Sequence, residues 1–251
     1  MGTRELMPAE RLIVAADFSK TGPGARRDAY MEVMRLADQL HGTGIYLKVN
    51  SALRACGYDL IDMIHERGLR VFADLKLNDI DATMATDGGF LAEARPEILT
   101  VMCSSGMKGL HALRSALLDT EILGVTVLTN FDTKDCLLVY GREIWDTAGR
   151  FATMAAEAKL GGVIASGAEA QCLRSFLPAH MTINTPNIRP TWAVVPGDDQ
   201  NKGRSMTPAD AIRAGADRIV VGRPITQAKD PRDAVRRTIE EIAIACEKVA
   251  S

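Results

Sequence analysis

A chain of 251 residues, 47% hydrophobic and 25% charged, can bury one large α/β core. Its formal net charge of −2, with Lys and Arg scattered along the chain, excludes the basic footprint that a nucleic-acid partner demands. No apolar run reaches the ~18 residues of a membrane span, and residues 1–10 carry Arg4, Glu5 and Glu10 in place of an apolar leader centre, so a cytoplasmic protein without a membrane partner is expected.

Short β-rich apolar runs alternate with stretches of helical period from one end to the other. The first strand is predicted over 11–17 and places Ile13, Ala15 and Asp17 on one face, because residues two apart share a side of a strand. A helix over 26–41 follows, then a strand over 44–50 with Tyr46, Lys48 and Asn50 on one face, and a helix over 51–67. The third strand, 69–76, aligns Phe72, Asp74 and Lys76 before a helix over 80–94. Strands over 97–103, 121–128, 161–166, 180–184 and 217–222 then alternate with helices over 107–118, 142–159, 168–177, 208–214 and 230–249. Such a succession of eight units, with no linker or shift in composition, predicts a single-domain (β/α)8 barrel over 1–251. A doubly wound open sheet is the competing architecture, but it rarely needs eight parallel strands. One irregular stretch, 185–206, is rich in Pro, Gly and Asp, and loops of that length are usually lids or binding loops.

On each of the first three strands the shared face turns polar toward its carboxyl end, where a barrel builds its active site. An ion-pair network closing the barrel mouth would account for any one of these charges. Four together make poor scaffolding, since each buried ion loses several kcal/mol of hydration, and a chemical role is favoured. The five cysteines and four histidines are dispersed, so neither a disulfide framework nor a metal site is expected. Phosphate has a separate physical basis: barrels commonly grip it with the loops after strands seven and eight, here carrying Arg189, Gly222 and Arg223.

The run Asp74-Leu75-Lys76-Leu77-Asn78-Asp79 resembles the catalytic signature of orotidine 5′-monophosphate decarboxylases. So do Ala-Ala-Asp17-Phe, Tyr-Leu-Lys48-Val, Val-Thr-Val-Leu-Thr129, Asn-Ile-Arg189-Pro, Asp-Asp-Gln200 and Val-Val-Gly222-Arg223-Pro-Ile-Thr, each in order and at a strand end, over about residues 11 to 245. The resemblance implies a metal-free and cofactor-free decarboxylase that makes uridine 5′-monophosphate in pyrimidine biosynthesis, with Lys48, Asp74, Lys76 and Asp79 as its catalytic set. It further implies that Lys76 stabilises and protonates a carbanion, and that Asp79 reaches the neighbouring site of a homodimer. Asp17 would hydrogen-bond the ribose, Thr129 would lie near the pyrimidine, Lys48 and Thr83 would add substrate contacts, and Arg189, Gln200, Gly222 and Arg223 would serve the phosphate. Ser166 is a weaker substrate contact, and for both Thr129 and Ser166 a helix N-cap is an equally good reading.

The chain departs from the family pattern after Lys76, where Asn78 and Asp81 stand in place of the usual His and Pro, and at Asn187, where glycine is common. The segment after Gln200 is about two residues longer than usual, so Lys202 competes with Gln200 for the phosphate. Two other functions compete. A magnesium-dependent enzyme acting on a keto-sugar phosphate shares the D-x-K-x-x-D array, although Lys48 stands where such enzymes carry an acid on strand two. A noncatalytic phosphate-ligand binder could retain the same fold.

Overall fold

The computed structural model describes residues 6–18, 20–193 and 205–250. Its strands are β1 (Leu12–Ala15), β2 (Tyr46–Val49), β3 (Arg70–Leu77), β4 (Ile98–Met102), β5 (Glu121–Val125), β6 (Gly162–Ile164), β7 (Thr182–Thr185) and β8 (Arg218–Val221). Every neighbouring pair is parallel and β8 pairs back onto β1, so the sheet closes in chain order. This is the expected (β/α)8 barrel in one domain. Most strands are shorter than the runs predicted for them, losing residues at one or both ends. Asp17 thus stands beyond Ala15, the last paired residue of β1.

The helices are α1 (Ala25–Leu40), α2 (Ser51–Cys56), α3 (Asp59–His65), α4 (Asp81–Ala94), α5 (Gly106–Ala116), α6 (Thr133–Tyr140), α7 (Ile144–Glu157), α8 (Gly167–Arg174), α9 (Pro208–Arg213), α10 (Arg223–Thr226) and α11 (Pro231–Ala250). Helix α1 illustrates why they form: Val33, Leu36, Ala37 and Leu40 recur on one face and are buried against the sheet. Two differences from the sequence expectation have local causes. The helix expected over 51–67 divides at Gly57, whose φ of 89° suits glycine and ends α2. Helix α6 was not foreseen because Leu137, Leu138 and Val139 are exposed, so it lacks an amphipathic stripe. It starts instead from a local signal, Asp132, whose carboxylate accepts the Asp135 N–H at 2.9 Å.

Two apolar layers result from strand alternation. Outward residues such as Val14, Leu47, Val71, Leu99 and Val221 pack under the helices, while Ile13, Tyr46, Phe72, Ile98, Leu123 and Val220 fill the barrel. Below them Arg218 makes a two-pronged ion pair with Glu121, at 2.8 and 2.9 Å, and Tyr46 lies within reach of the guanidinium groups of both Arg70 and Arg218. The barrel is therefore closed at its amino-terminal end and polar groups gather at the other. Among the described residues no helix is long and apolar enough to cross a membrane.

Candidate active site

A cavity of about 830 Å³ opens where the strands end, lined on one part by Asp17, Lys48, Asp74 and Lys76. The four form an alternating chain. Lys48 Nζ donates to both oxygens of Asp17, at 2.9 and 2.7 Å, and to Asp74 Oδ2 at 3.0 Å. Lys76 Nζ donates to Asp74 Oδ1 at 2.7 Å. Lys48 and Asp74 are 6% exposed, which in isolation would disfavour both charges. Burial alone would raise the Asp74 pKa, but the ammonium groups of Lys48 and Lys76 outweigh it and hold the carboxyl at about 2. Burial would likewise lower Lys48, and the carboxylates of Asp74 and Asp17 reverse the direction and raise it.

Thr100 completes the arrangement. This fully buried hydroxyl on β4 donates to Asp74 Oδ1 at 2.9 Å and accepts the Lys76 backbone N–H at 3.0 Å. Sequence reasoning passed over it because a single threonine in an apolar strand carries no motif. The signal was its place two residues after the inward Ile98, in the register that brings β4 beside Asp74.

The rest of the wall has two characters. Ala15, Phe72, Val125, Val127, Ile164 and Val220 make an apolar surface, whereas Arg189 and Arg223 bring guanidinium groups from the segments after β7 and β8. Arg189 is 5% exposed, and its backbone is pinned by a parallel bridge between Ile188 and Met206 and by its N–H to the Met206 oxygen at 2.9 Å. The two ends of the long segment are thus joined at Ile188 and Met206. Gly222 lines the same cavity, where a side chain added to it would come into ordinary contact with Ala15, its Cβ 3.7 Å from that of Ala15.

Not every expected residue converges. Thr129 lines the cavity and does not cap α6, a role that Asp132 fills. Ser166 takes the opposite course: it is the N-cap of α8, where its N–H donates to the buried Glu169 at 3.0 Å, and it does not line the cavity. Asn50, expected beside Lys48, instead turns its side chain to the N–H of Ser51 at the start of α2. Asp79 is exposed, accepts the N–H of Ile80 at 2.7 Å and stays outside the cavity, as does the half-buried Thr83 on α4. Gln200 and Lys202 lie outside the described residues. Asn187, at φ 64°, lines the cavity where a glycine was expected, in the left-handed conformation that Asn tolerates.

A family model described as orotidine 5′-phosphate decarboxylase / HUMPS family matches residues 10–238, which include every strand and the whole alternating charge chain. This chain belongs to that family. It is 36% identical over 250 residues to a protein named orotidine 5′-phosphate decarboxylase from Methylobacterium sp. (strain 4-46), covering 97% of this chain and 100% of the relative. It is also 35% identical to the protein of that name from Saccharophagus degradans, over 95% and 98% of the two chains. A crystal structure of the Lactobacillus acidophilus orotidine 5′-phosphate decarboxylase superposes with a TM-score of 0.76 at 25% identity, covering 93% of this chain and 99% of that one. A conserved protein from Geobacillus kaustophilus gives the same TM-score at 26% identity. Membership of the orotidine 5′-phosphate decarboxylase / HUMPS family thus runs through the length of the fold.

Proposed function

We propose that this protein decarboxylates orotidine 5′-monophosphate to uridine 5′-monophosphate, in the synthesis of pyrimidine nucleotides, without a metal or organic cofactor. The observation that carries the reading is the Lys76 ammonium, held at 2.7 Å from Asp74 at the end of an alternating charge chain in a part-apolar cavity. Loss of carbon dioxide breaks the bond from C6 of the pyrimidine to its carboxylate and leaves the electron pair on C6. A fixed ammonium beside C6 stabilises that charge and then supplies the proton that replaces the carboxylate, the type of preorganised electrostatic contribution that dominates many rate enhancements. Lys48, Asp17 and Asp74 keep the Lys76 ammonium in place, and like charge on Asp74 would favour departure of the substrate carboxylate.

Arg189 and Arg223 suit the 5′-phosphate, because a guanidinium presents two parallel donors to such oxyanions. Gly222 allows the backbone close to it, Asp17 and Lys48 serve the ribose, and Thr129 the pyrimidine. Asp79 and Thr83 complete the site from the second copy in a homodimer. Their placement outside the cavity supports that reading, as do Ile80 and Phe90, which expose 68% and 55% of their surface on the same segment. A magnesium-dependent reaction of a keto-sugar phosphate is disfavoured, because Lys48 Nζ occupies the space between two carboxylates that a bridging divalent cation would need.

The test is ultraviolet absorbance. Purified protein treated with chelator should consume orotidine 5′-monophosphate at an undiminished rate, and Lys76→Ala should lower turnover at least about 10³-fold, through loss of both the proton donor and the electrostatic stabiliser. Full activity in that variant, or no turnover in the parent protein, would refute the assignment.

A further inference from the structure

The peptide unit between Leu75 and Lys76 lies where β3 and β4 lose register: β3 advances from Ala73 to Leu77 while β4 advances only from Leu99 to Val101. Within this bulge Lys76 adopts φ 48°, a conformation that residues other than glycine keep only where their surroundings hold it. Both polar groups of that one peptide are met by side chains. Arg54 Nη2 donates to the Leu75 carbonyl oxygen at 2.6 Å, and the Lys76 N–H donates to Thr100 Oγ1 at 3.0 Å. The Thr100 proton in turn goes to Asp74 Oδ1 at 2.9 Å, the same oxygen that accepts Lys76 Nζ. A single hydroxyl is therefore bonded both to the backbone from which Lys76 projects and to the carboxylate that restrains its ammonium.

We infer that Thr100 and Arg54 are positioning residues for the reaction: they hold the Leu75–Lys76 peptide in its bulged state and so aim the Lys76 ammonium. This rests on the role proposed for Lys76. Bulges re-aim side chains beside active sites, and a left-handed lysine freed of its two brackets relaxes toward the ordinary strand conformation, carrying Nζ away from Asp74. Neither residue needs to touch the substrate. Their loss should consequently lower kcat, which depends on the ammonium's alignment in the transition state, far more than it alters KM.

The experiment compares Thr100→Val, which keeps shape but removes the hydroxyl, with Thr100→Ser, which keeps the hydroxyl, using orotidine 5′-monophosphate as substrate. Thr100→Val should lose about 10- to 100-fold in kcat, the range for a hydrogen bond to a charged group, with KM changed less than about threefold. Thr100→Ser should recover kcat to within about threefold of the parent. Arg54 is exposed on α2, so Arg54→Met tests the other bracket without disturbing the core and should also lower kcat at nearly constant KM. Crystal structures of Thr100→Val and Arg54→Met add a readout that does not depend on turnover. Lys76 leaving positive φ supports the assignment even if the parent protein proves inactive on this substrate, a result that would sink only the functional reading. Lys76 remaining left-handed with Nζ still on Asp74 in both variants, or parental kcat in Thr100→Val, overturns it.

Discussion

Asp74 accepts from three donors, the ammonium groups of Lys48 and Lys76 and the hydroxyl of Thr100. Its pKa near 2 against an ordinary 3.8 means that the folded state binds this proton more weakly than the unfolded chain does. The resulting stabilisation, on the order of 2 kcal/mol, is complete above pH ~4 and disappears as pH falls toward 2. Urea unfolding midpoints followed from pH 6 to pH 2 should therefore drop more steeply in the parent protein than in Asp74→Asn over the lower half of that range. Equal slopes would mean that Asp74 is not held ionised by its neighbours. Lys48 acts in the opposite direction. Its raised pKa contributes stability that is present below its ordinary 10.5 and is lost as alkaline pH passes the folded value.

At the scale of elements, the packing of α4 on α5 makes two adjacent glycines behave oppositely. A Cβ at Gly88 would lie 2.8 Å from Ala116 Cβ and 3.3 Å from Leu113 Cδ1, whereas one at Gly89 would meet nothing within 4 Å. Alanine at either position gains about 1 kcal/mol of helix propensity. At Gly88 the clash with a short, unyielding side chain costs about 1–3 kcal/mol and outweighs that gain. Thermal melts should show Gly88→Ala destabilised and Gly89→Ala stabilised, and a shared direction would contradict the close helix contact. The same helix begins just after Asp79, so a displaced α4 also shifts the segment proposed to serve a second subunit.

For the whole molecule, the decisive feature is that one chain brings Lys48, Asp74 and Lys76 to the cavity and leaves Asp79 outside. If Asp79 acts in the partner's site, Lys76→Ala and Asp79→Ala proteins, each inactive alone, should recover activity when mixed and allowed to exchange. Random pairing in a two-fold dimer would make half the dimers hybrids with one intact site each, about a quarter of parental activity. Exchange shown by a tag on one variant, with no recovery, would return Asp79 to a role within its own chain.

Much of this was legible before any fold was known. The eight βα units and the charges at strand ends follow from a side-chain period of two and from the cost of burying ions, and both are local properties of the chain. Asp17, Lys48, Asp74 and Lys76 could be grouped on that ground alone, and the quoted motifs connected them to a family that the comparisons support. Three-dimensional pairing decided the rest. Which hydroxyl faces the cavity depends on where each strand stops, so Thr129 lines it and Ser166 becomes a helix cap. The bulge in β3 exists only against β4, and with it come the left-handed Lys76 and its brackets from Thr100 and Arg54. Those contacts join residues 21 to 26 positions apart, a distance over which no local period carries information.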